Sequence, residues 1–238
     1  MKNINKVAIF LAARSESKRL PNKHFLKIDK NYKVIDLCIL RLKKSKFIKK
    51  IFLCTTKRKK DDKFKKICEH HNINLFRGDT DNVLKRFIDC AKKNSIKTII
   101  RITGDCPLID PNLMDKCINL YLKKKKDYTT NTLKLSYPDG LDVEIVKLSS
   151  LIKSSRMSQS AINKEHVTAF IRSSKLFKKY NLKNSKNYSN RRWTLDYKKD
   201  FYFLKKVIKF FKPNIFFTWQ DIIKAEKNNN FLLNIKKR

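Results

Sequence analysis

The chain reads as an α/β protein built on a mostly parallel sheet. Three observations point there. The run Val7-Ala8-Ile9-Phe10-Leu11 is short and continuously apolar, the pattern of a strand buried on both faces. Strand-like and helix-like segments then alternate up to about Lys123, and repeated βα units favour parallel strands with right-handed crossovers. The loop after the first strand carries Arg14, Lys18, Arg19 and Lys23. In an open α/β sheet that loop lies at the carboxyl edge, where ligands bind. So dense a set of cations suits a polyphosphate, and Pro21 stiffens it.

The elements follow in order. Apolar residues at 34, 35, 37, 39, 40 and 42 mark a helix face. Ile51 to Cys54 is a second strand ending at Thr55-Thr56, and Asp61 or Asp62 is placed to cap a helix that buries Phe64, Ile67 and Cys68. Ile73 to Phe76 is a third strand, followed by a helix over 81–93 with Val83, Leu84, Phe87, Ile88 and Ala91 on one face. Thr98 to Ile102 is the fourth strand. Asp110-Pro111 opens a helix as N-cap and first-turn proline. Beyond residue 127 the texture changes. Tyr128 to Leu133 reads as a strand, Pro138-Asp139-Gly140 as a turn, and Leu141, Val143 and Ile145 as an alternating strand. Helices are predicted over 147–156 and 163–173. Arg192 to Asp196 reads as a strand returning to the sheet, with helices from Asp200 to Phe211 and from Trp219.

The 238 residues suffice for one α/β domain and a full core. Lys and Arg number 58 against 21 Asp and Glu, a net charge of +37. Such an excess usually indicates nucleic acid. Here it is mostly lysine, spread along the whole chain beside abundant Asn and Ile and only 3 glycines. It is read as compositional bias on solvated helix faces, with no nucleic-acid partner expected. A non-enzymatic polyanion binder is the competing reading, and it has no use for paired carboxylates. Six cysteines lack Cys-x-x-Cys spacing. Reduced, buried thiols in the cytoplasm are expected, with no signal peptide and no membrane span. Gly-x-Gly-x-x-Gly, Walker and Gly-x-Ser-x-Gly motifs and zinc-spaced Cys/His clusters are absent.

Thr103-Gly104-Asp105-Cys106-Pro107 follows the fourth strand, on the same edge as the cationic loop. Asp105 is either a Mg²⁺ ligand facing phosphates or a structural carboxylate satisfying turn amides. Asp196 is a second carboxylate for that site if its strand lies beside the fourth, and otherwise caps the next helix. Arg77 and the amides around Gly78 suit a base or ribose, with an ordinary turn before a helix capped by Asp81 as the alternative. Asp139, Asp142, Glu144, Glu165, His166 and Arg172 are candidates for the second substrate; His166 also reads as an ordinary helical histidine. His24, His70 and His71 are expected to be structural, and Trp193 and Trp219 core residues.

Three pieces together resemble the cytidylyltransferase family, which includes CMP-sialic acid and CMP-Kdo synthetases and the spore-coat polysaccharide protein F group. They are Ala13 to Lys23 (ARSESKRLPNK), Arg101 to Pro111 (RITGDCPLIDP) and Arg192-Trp193-Thr194-Leu195-Asp196. Arg77-Gly78-Asp79, Tyr137 to Glu144 (YPDGLDVE) and Glu165-His166-Val167-Thr168 also fit the spore-coat group, in order. The likeness runs over about residues 6 to 211. It departs at Glu16 and Asn22, where glycine is common, and at Tyr197-Lys198, where Thr-Pro is usual.

The resemblance implies a Rossmann-like nucleotidyltransferase fold with a small β-hairpin and helical extension. It implies a single domain over 1–238 whose acceptor side is about 128–190. CTP and Mg²⁺ are implied, and a homodimer fits. Arg14, Arg19 and Lys23 would hold the triphosphate, with Arg14, Lys23 and Asp105 catalytic. Ala12, Ala13, Ser15, Arg77 and Gly78 would lie near the nucleotide, and Asp105 and Asp196 would bind metal. The acceptor would meet Asn131, Asp139, Asp142, Glu144, Glu165, His166 and Arg172. The expected reaction transfers CMP to an acidic sugar of the nonulosonic or Kdo type for surface glycan assembly. A sugar phosphate is the alternative acceptor.

Overall fold

The computed structural model describes residues 6–228; residues 1–5 and 229–238 of the expected domain lie outside them. Seven strands form one sheet in the order β3-β2-β1-β4-β6-β5-β7. These are β1 (Val7–Ala12), β2 (Ile51–Thr56), β3 (Asn74–Gly78), β4 (Thr98–Thr103), β5 (Tyr128–Thr130), β6 (Glu144–Lys147) and β7 (Lys179–Asn181). The first four pair in parallel, β6 runs antiparallel to β4 and β5, and β7 is parallel to β5. Nine helices accompany them among the described residues: α1 (Val34–Leu42), α2 (Lys63–His70), α3 (Val83–Lys93), α4 (Pro111–Lys124), α5 (Leu148–Met157), α6 (Ala161–His166), α7 (Ala169–Ser173), α8 (Lys198–Phe211) and α9 (Trp219–Asn228).

Burial on both faces explains the apolar strands. Ile9 and Leu11 of β1 point into a core with Ile35, Leu53, Ile102 and Met114. Ala8 and Phe10 point the other way, onto Phe52, Phe87 and Tyr128. A third cluster around Trp193, Leu204, Val207 and Trp219 binds the C-terminal helices to α1 and α4. All six cysteines are buried and free. Burial raises the Cys38 and Cys117 thiols to about 12.

The register lines up the carboxyl ends of the parallel strands, with Ala12 opposite both Cys54 and Thr103. The chain leaves β1 toward β2 on one side, and β4 lies on the other. Such a switch point opens a crevice at the strand ends. Gly104 donates its N–H to the Ala12 carbonyl at 2.8 Å. A Cβ at Gly104 would lie 2.8 Å from the His24 ring and 3.1 Å from that carbonyl, so the close approach requires glycine. His24 is buried, as expected of a structural histidine. Burial beside Lys23 lowers its pKa to about 4 and keeps it neutral.

Several expectations are corrected. Arg192 to Asp196 forms no strand. It is held by one bridge between Asp139 and Arg192 and by single bonds, Trp193 N–H to Asp139 O at 2.7 Å and Leu195 N–H to Asp105 O at 2.8 Å. Strand β5 stops at Thr130 because side chains take over the ladder: Thr130 Oγ1 bonds Val143 O at 2.7 Å and Asn131 bonds the backbone at 141 and 143. For the same reason β6 starts only at Glu144. The helix expected over 163–173 breaks at Val167, whose φ is 61°. Asp61 and Asp62 make no side-chain cap to α2, and Asn82 rather than Asp81 caps α3, accepting from the Lys85 N–H at 2.8 Å. Asp110 caps α4 as expected, accepting from Leu113 N–H at 2.9 Å. The expected hairpin and helical extension is present as part of the sheet: β5, β6 and β7 continue it, and α5 to α7 pack beside them.

Candidate active site

Lys23 sits where the pieces meet. Its buried ammonium donates to Asp105 Oδ2 at 3.0 Å, Asp196 Oδ1 at 3.1 Å and the Leu195 carbonyl at 2.9 Å. The two carboxylate oxygens therefore lie no farther apart than those two bonds laid end to end. Asp196 also takes Arg19 at 2.7 Å and Arg192 at 3.1 Å. The cationic loop and both acidic residues thus converge although Asp196 is not on a strand. Burial pushes the Asp105 carboxyl up, but Lys23 and the Thr103 hydroxyl more than offset this and hold it at about 2. It is fully ionised at neutral pH.

The loop's shape has local causes. Asn22 has φ 54°, in the left-handed region that glycine and asparagine adopt most readily. Asparagine therefore fits this position without strain. Ser15 turns inward: its N–H donates to Asp61 Oδ1 at 2.7 Å and its hydroxyl to Lys60 O at 2.9 Å. Ser15 therefore braces the loop, and Asp61 anchors it, a role no capping pattern reveals. Glu16 pairs with Arg58 and with Lys60 at 3.4 Å, outside the loop's own cations. Tyr197 lies under Arg19 and Arg192 at 5.4 and 5.6 Å. Such stacking holds guanidinium groups in place.

Arg14 reaches from the end of β1 to Glu165 on α6 at 2.7 Å, both about half exposed. Ala12 ends β1, and Ala13 is buried just beyond it. Arg77 bonds Thr56 O at 3.1 Å, Arg58 O at 2.9 Å and Asp62 at 2.5 Å. Gly78 packs against Arg86, itself buried and donating to Asp79 O and Thr80 O. Arg77 and Gly78 thus brace the carboxyl end of β3 against β2 and α3.

A cavity of about 710 Å³ opens beside Asp105. Arg101, Thr103 and Cys106 come from β4 and its loop, Asp142 and Glu144 from the segment entering β6, and His166, Thr168 and Arg172 from the α6–α7 region. Gly140, at φ 107°, lets the turn over 138–140 pack on the Trp193 and Thr194 backbone, which brings Asp142 to the cavity. Arg172 is held by Thr132 through Oγ1 at 2.9 Å and O at 3.0 Å. His166 is exposed at the rim.

Two of the expected acceptor residues are bonded within the fold. Asn131 is buried, its amide spent on Leu141 O and Val143 N–H, both at 2.9 Å. Glu144 is buried and pairs with Arg101, while Tyr128 donates to it at 2.5 Å and Thr168 also bonds it. Breaking a buried pair leaves an uncompensated charge. Glu144→Ala is therefore expected to cost about 3–5 kcal/mol in urea unfolding; a loss under about 1 kcal/mol would remove Glu144 from the framework.

The sheet order, the switch-point crevice and the cation–carboxylate junction define a nucleotidyltransferase. A family model described as cytidylyltransferase matches residues 8–236. The chain belongs to the cytidylyltransferase family, and CTP is its nucleotide substrate. It is 35% identical over 200 residues to an uncharacterized protein of Methanocaldococcus jannaschii, covering 82% of this chain and 80% of that one. It is 32% identical over 174 residues to spore coat polysaccharide biosynthesis protein SpsF of Bacillus subtilis, covering 71% of each. The structure of a cytidylyltransferase from Leptospira borgpetersenii matches with TM-score 0.93 and 31% identity over 98% of both chains. CMP-Kdo synthetase complexed with CTP shares the fold, with TM-score 0.62 at 13% identity over 86% of this chain and 98% of that one. Among the described residues no helix is long and apolar enough to cross a membrane.

Proposed function

We propose that the enzyme transfers CMP from CTP to an acidic sugar, of the nonulosonic or Kdo type, and releases pyrophosphate. One observation carries the reading: Lys23 joins Asp105 and Asp196 at the mouth of a cavity whose wall holds Arg101 and Arg172. The cationic loop and the pair of acids thereby adjoin the acceptor pocket at Asp105.

The two carboxylates supply the hard oxygen donors that Mg²⁺ takes, and Lys23 already holds a positive charge between them. Asp105 and Asp196 would hold the ion. When bound, it offsets the charge on the α-phosphate and the leaving oxygen. Arg19 and Lys23 then face the β- and γ-phosphates and stabilise departing pyrophosphate. Arg14 closes from the rim, releasing Glu165. Ala12 and Ala13 give the cytidine a floor without side-chain bulk. Arg101, Arg172 and His166 meet the acceptor's carboxylate and hydroxyls, with Asp139 behind them at the turn. Holding both reactants in line contributes about 7–11 kcal/mol in well-oriented systems. The product would feed glycan assembly in the cytoplasm, consistent with six buried free thiols.

The test is pyrophosphate release with Mg²⁺, each of the four nucleoside triphosphates, and Kdo, N-acetylneuraminic acid or sugar 1-phosphates. The expected result is turnover with CTP and a sugar acid. Turnover with a sugar phosphate and none with the acids would overturn the acceptor assignment.

A further inference from the structure

The cavity wall carries three carboxylates among the described residues, and two are spoken for. Asp105 is bonded to Lys23, and Glu144 to Arg101, Tyr128 and Thr168. Asp142 makes no hydrogen bond or ion pair with any described residue. Its charge is felt, together with that of Asp105, by the Cys106 thiol, so both acids border the same end of the cavity. A carboxylate left unpaired in a polar pocket is costly unless a ligand completes it.

We infer that Asp142 is the general base that takes the proton from the acceptor hydroxyl attacking CTP. This rests on the cytidylyl-transfer reading above. The acceptor oxygen forms a bond to the α-phosphorus as its proton passes to the Asp142 carboxylate. The bond from the α-phosphorus to the bridging oxygen breaks, and pyrophosphate leaves with that electron pair. Asp142 later returns its proton to solvent.

The surroundings suit the role. Asp139 from the turn and Glu144 from β6 press like charge on Asp142, while Arg101 from β4 and Arg172 from α7 oppose them. Asp105 and Cys106 from the loop after β4, and His166 from α6, complete the charged and titratable lining. Burial dominates and, with Asp139 and Glu144, raises the Asp142 carboxyl to about 7. A base is most effective when its pKa lies near the working pH. Asp105, held at about 2, is too weak a base, and Glu144 is fully engaged. His166, exposed at the rim, is the rival.

The test compares wild type, Asp142→Asn, Asp142→Glu and His166→Gln as full chains. CTP, Mg²⁺ and Kdo or N-acetylneuraminic acid are the probes, and rates are followed across neutral pH. Wild-type kcat should rise with pH through about 7. Asp142→Asn should lower kcat by about 10²–10⁴-fold, erase that rise and leave KM for CTP within about threefold. CTP should still raise its Tm, showing a folded protein. Asp142→Glu should recover part of the rate and the rise. Unchanged kcat in Asp142→Asn, a raised KM with kcat kept, or loss of the rise in His166→Gln alone would each overturn the assignment. A ¹³C carboxyl titration needs no acceptor: a resonance titrating near 7 in wild type and missing in Asp142→Asn supports the base, and ordinary titration near 4 overturns it. Wild-type enzyme that turns over neither acid fails the acceptor reading instead; the carboxyl titration, which needs no acceptor, then decides on Asp142.

Discussion

Asp105→Asn is expected to lower Mg²⁺-dependent pyrophosphate release by about 10³-fold or more while leaving the fold in place. The substitution keeps the side chain's shape and one oxygen but removes the charge that would face the metal. The junction does not fall apart, because Lys23 retains Asp196 Oδ1 and the Leu195 carbonyl, and the Leu195 N–H still finds the Asp105 backbone carbonyl. The pH dependence has a defined sign. The Asp105 pKa is depressed to about 2, so ionised Asp105 stabilises the folded protein above the ordinary carboxylate range. That contribution is lost as pH falls toward 2, and Asp105→Asn should flatten this part of the acid unfolding curve. Full turnover by a folded Asp105→Asn protein would sink the metal assignment.

Arg41→Met is expected to cost about 4 kcal/mol or more, about a 10 °C fall in Tm for a chain of this size. Arg41 is completely buried on α1. Its guanidinium donates to the carbonyls of Ile109 at 2.8 Å, Ile215 at 2.6 Å, Leu108 at 3.5 Å and Phe217 at 2.9 Å. Burial pulls its pKa down to about 10 against the attraction of Asp110, so it stays charged under any native condition. Methionine fills much of the volume and leaves those carbonyls orphaned, each costing about 1–3 kcal/mol before relaxation. The C-terminal segment around Ile215 and Phe217 should loosen first, read by hydrogen exchange. A loss within about 1 kcal/mol would mean that water replaces the guanidinium at little cost.

The parts of the fold legible in the sequence were those that burial dictates. The apolar runs of β1, β2 and β4 and the amphipathic faces of α1, α3 and α4 are set by which residues must leave water, and they fall where expected. The failures share a cause. Where side chains bond the backbone, as Thr130 and Asn131 do across to 141 and 143, apolar alternation no longer marks strand limits. Strand β7 is three partly buried residues, Lys179 to Asn181, with no apolar signal at all. The segment over 192–196 looks like a strand because Trp193 and Leu195 are buried on one side. Yet Arg192 and Asp196 spend their charges on Asp200, Arg19 and Lys23 rather than on a ladder.

The site was legible as residue types at strand ends, and less so as partners. Lys23, Asp105 and Asp196 come together as the motif order requires. Ser15, Arg77, Asn131 and Glu144 carry groups that suit a ligand, and the fold also bonds each of them internally. Only tertiary placement separates the two uses. Asp61 and Arg41 were invisible for the same reason: an aspartate before a helix reads as a cap, and an arginine on a helix reads as solvated. Asp142 was one acid among several in a short motif until its lack of a partner set it apart.

The most direct measurement is a crystal structure with CTP and Mn²⁺ in place of Mg²⁺, the metal located by its anomalous signal. The account predicts one metal peak shared by Asp105 and Asp196, Lys23 moved onto the triphosphate, and the cavity beside Asp142 open to the α-phosphorus. A triphosphate bound away from the Arg14–Lys23 loop, or a metal held elsewhere while Lys23 still bridges the two carboxylates, would contradict it.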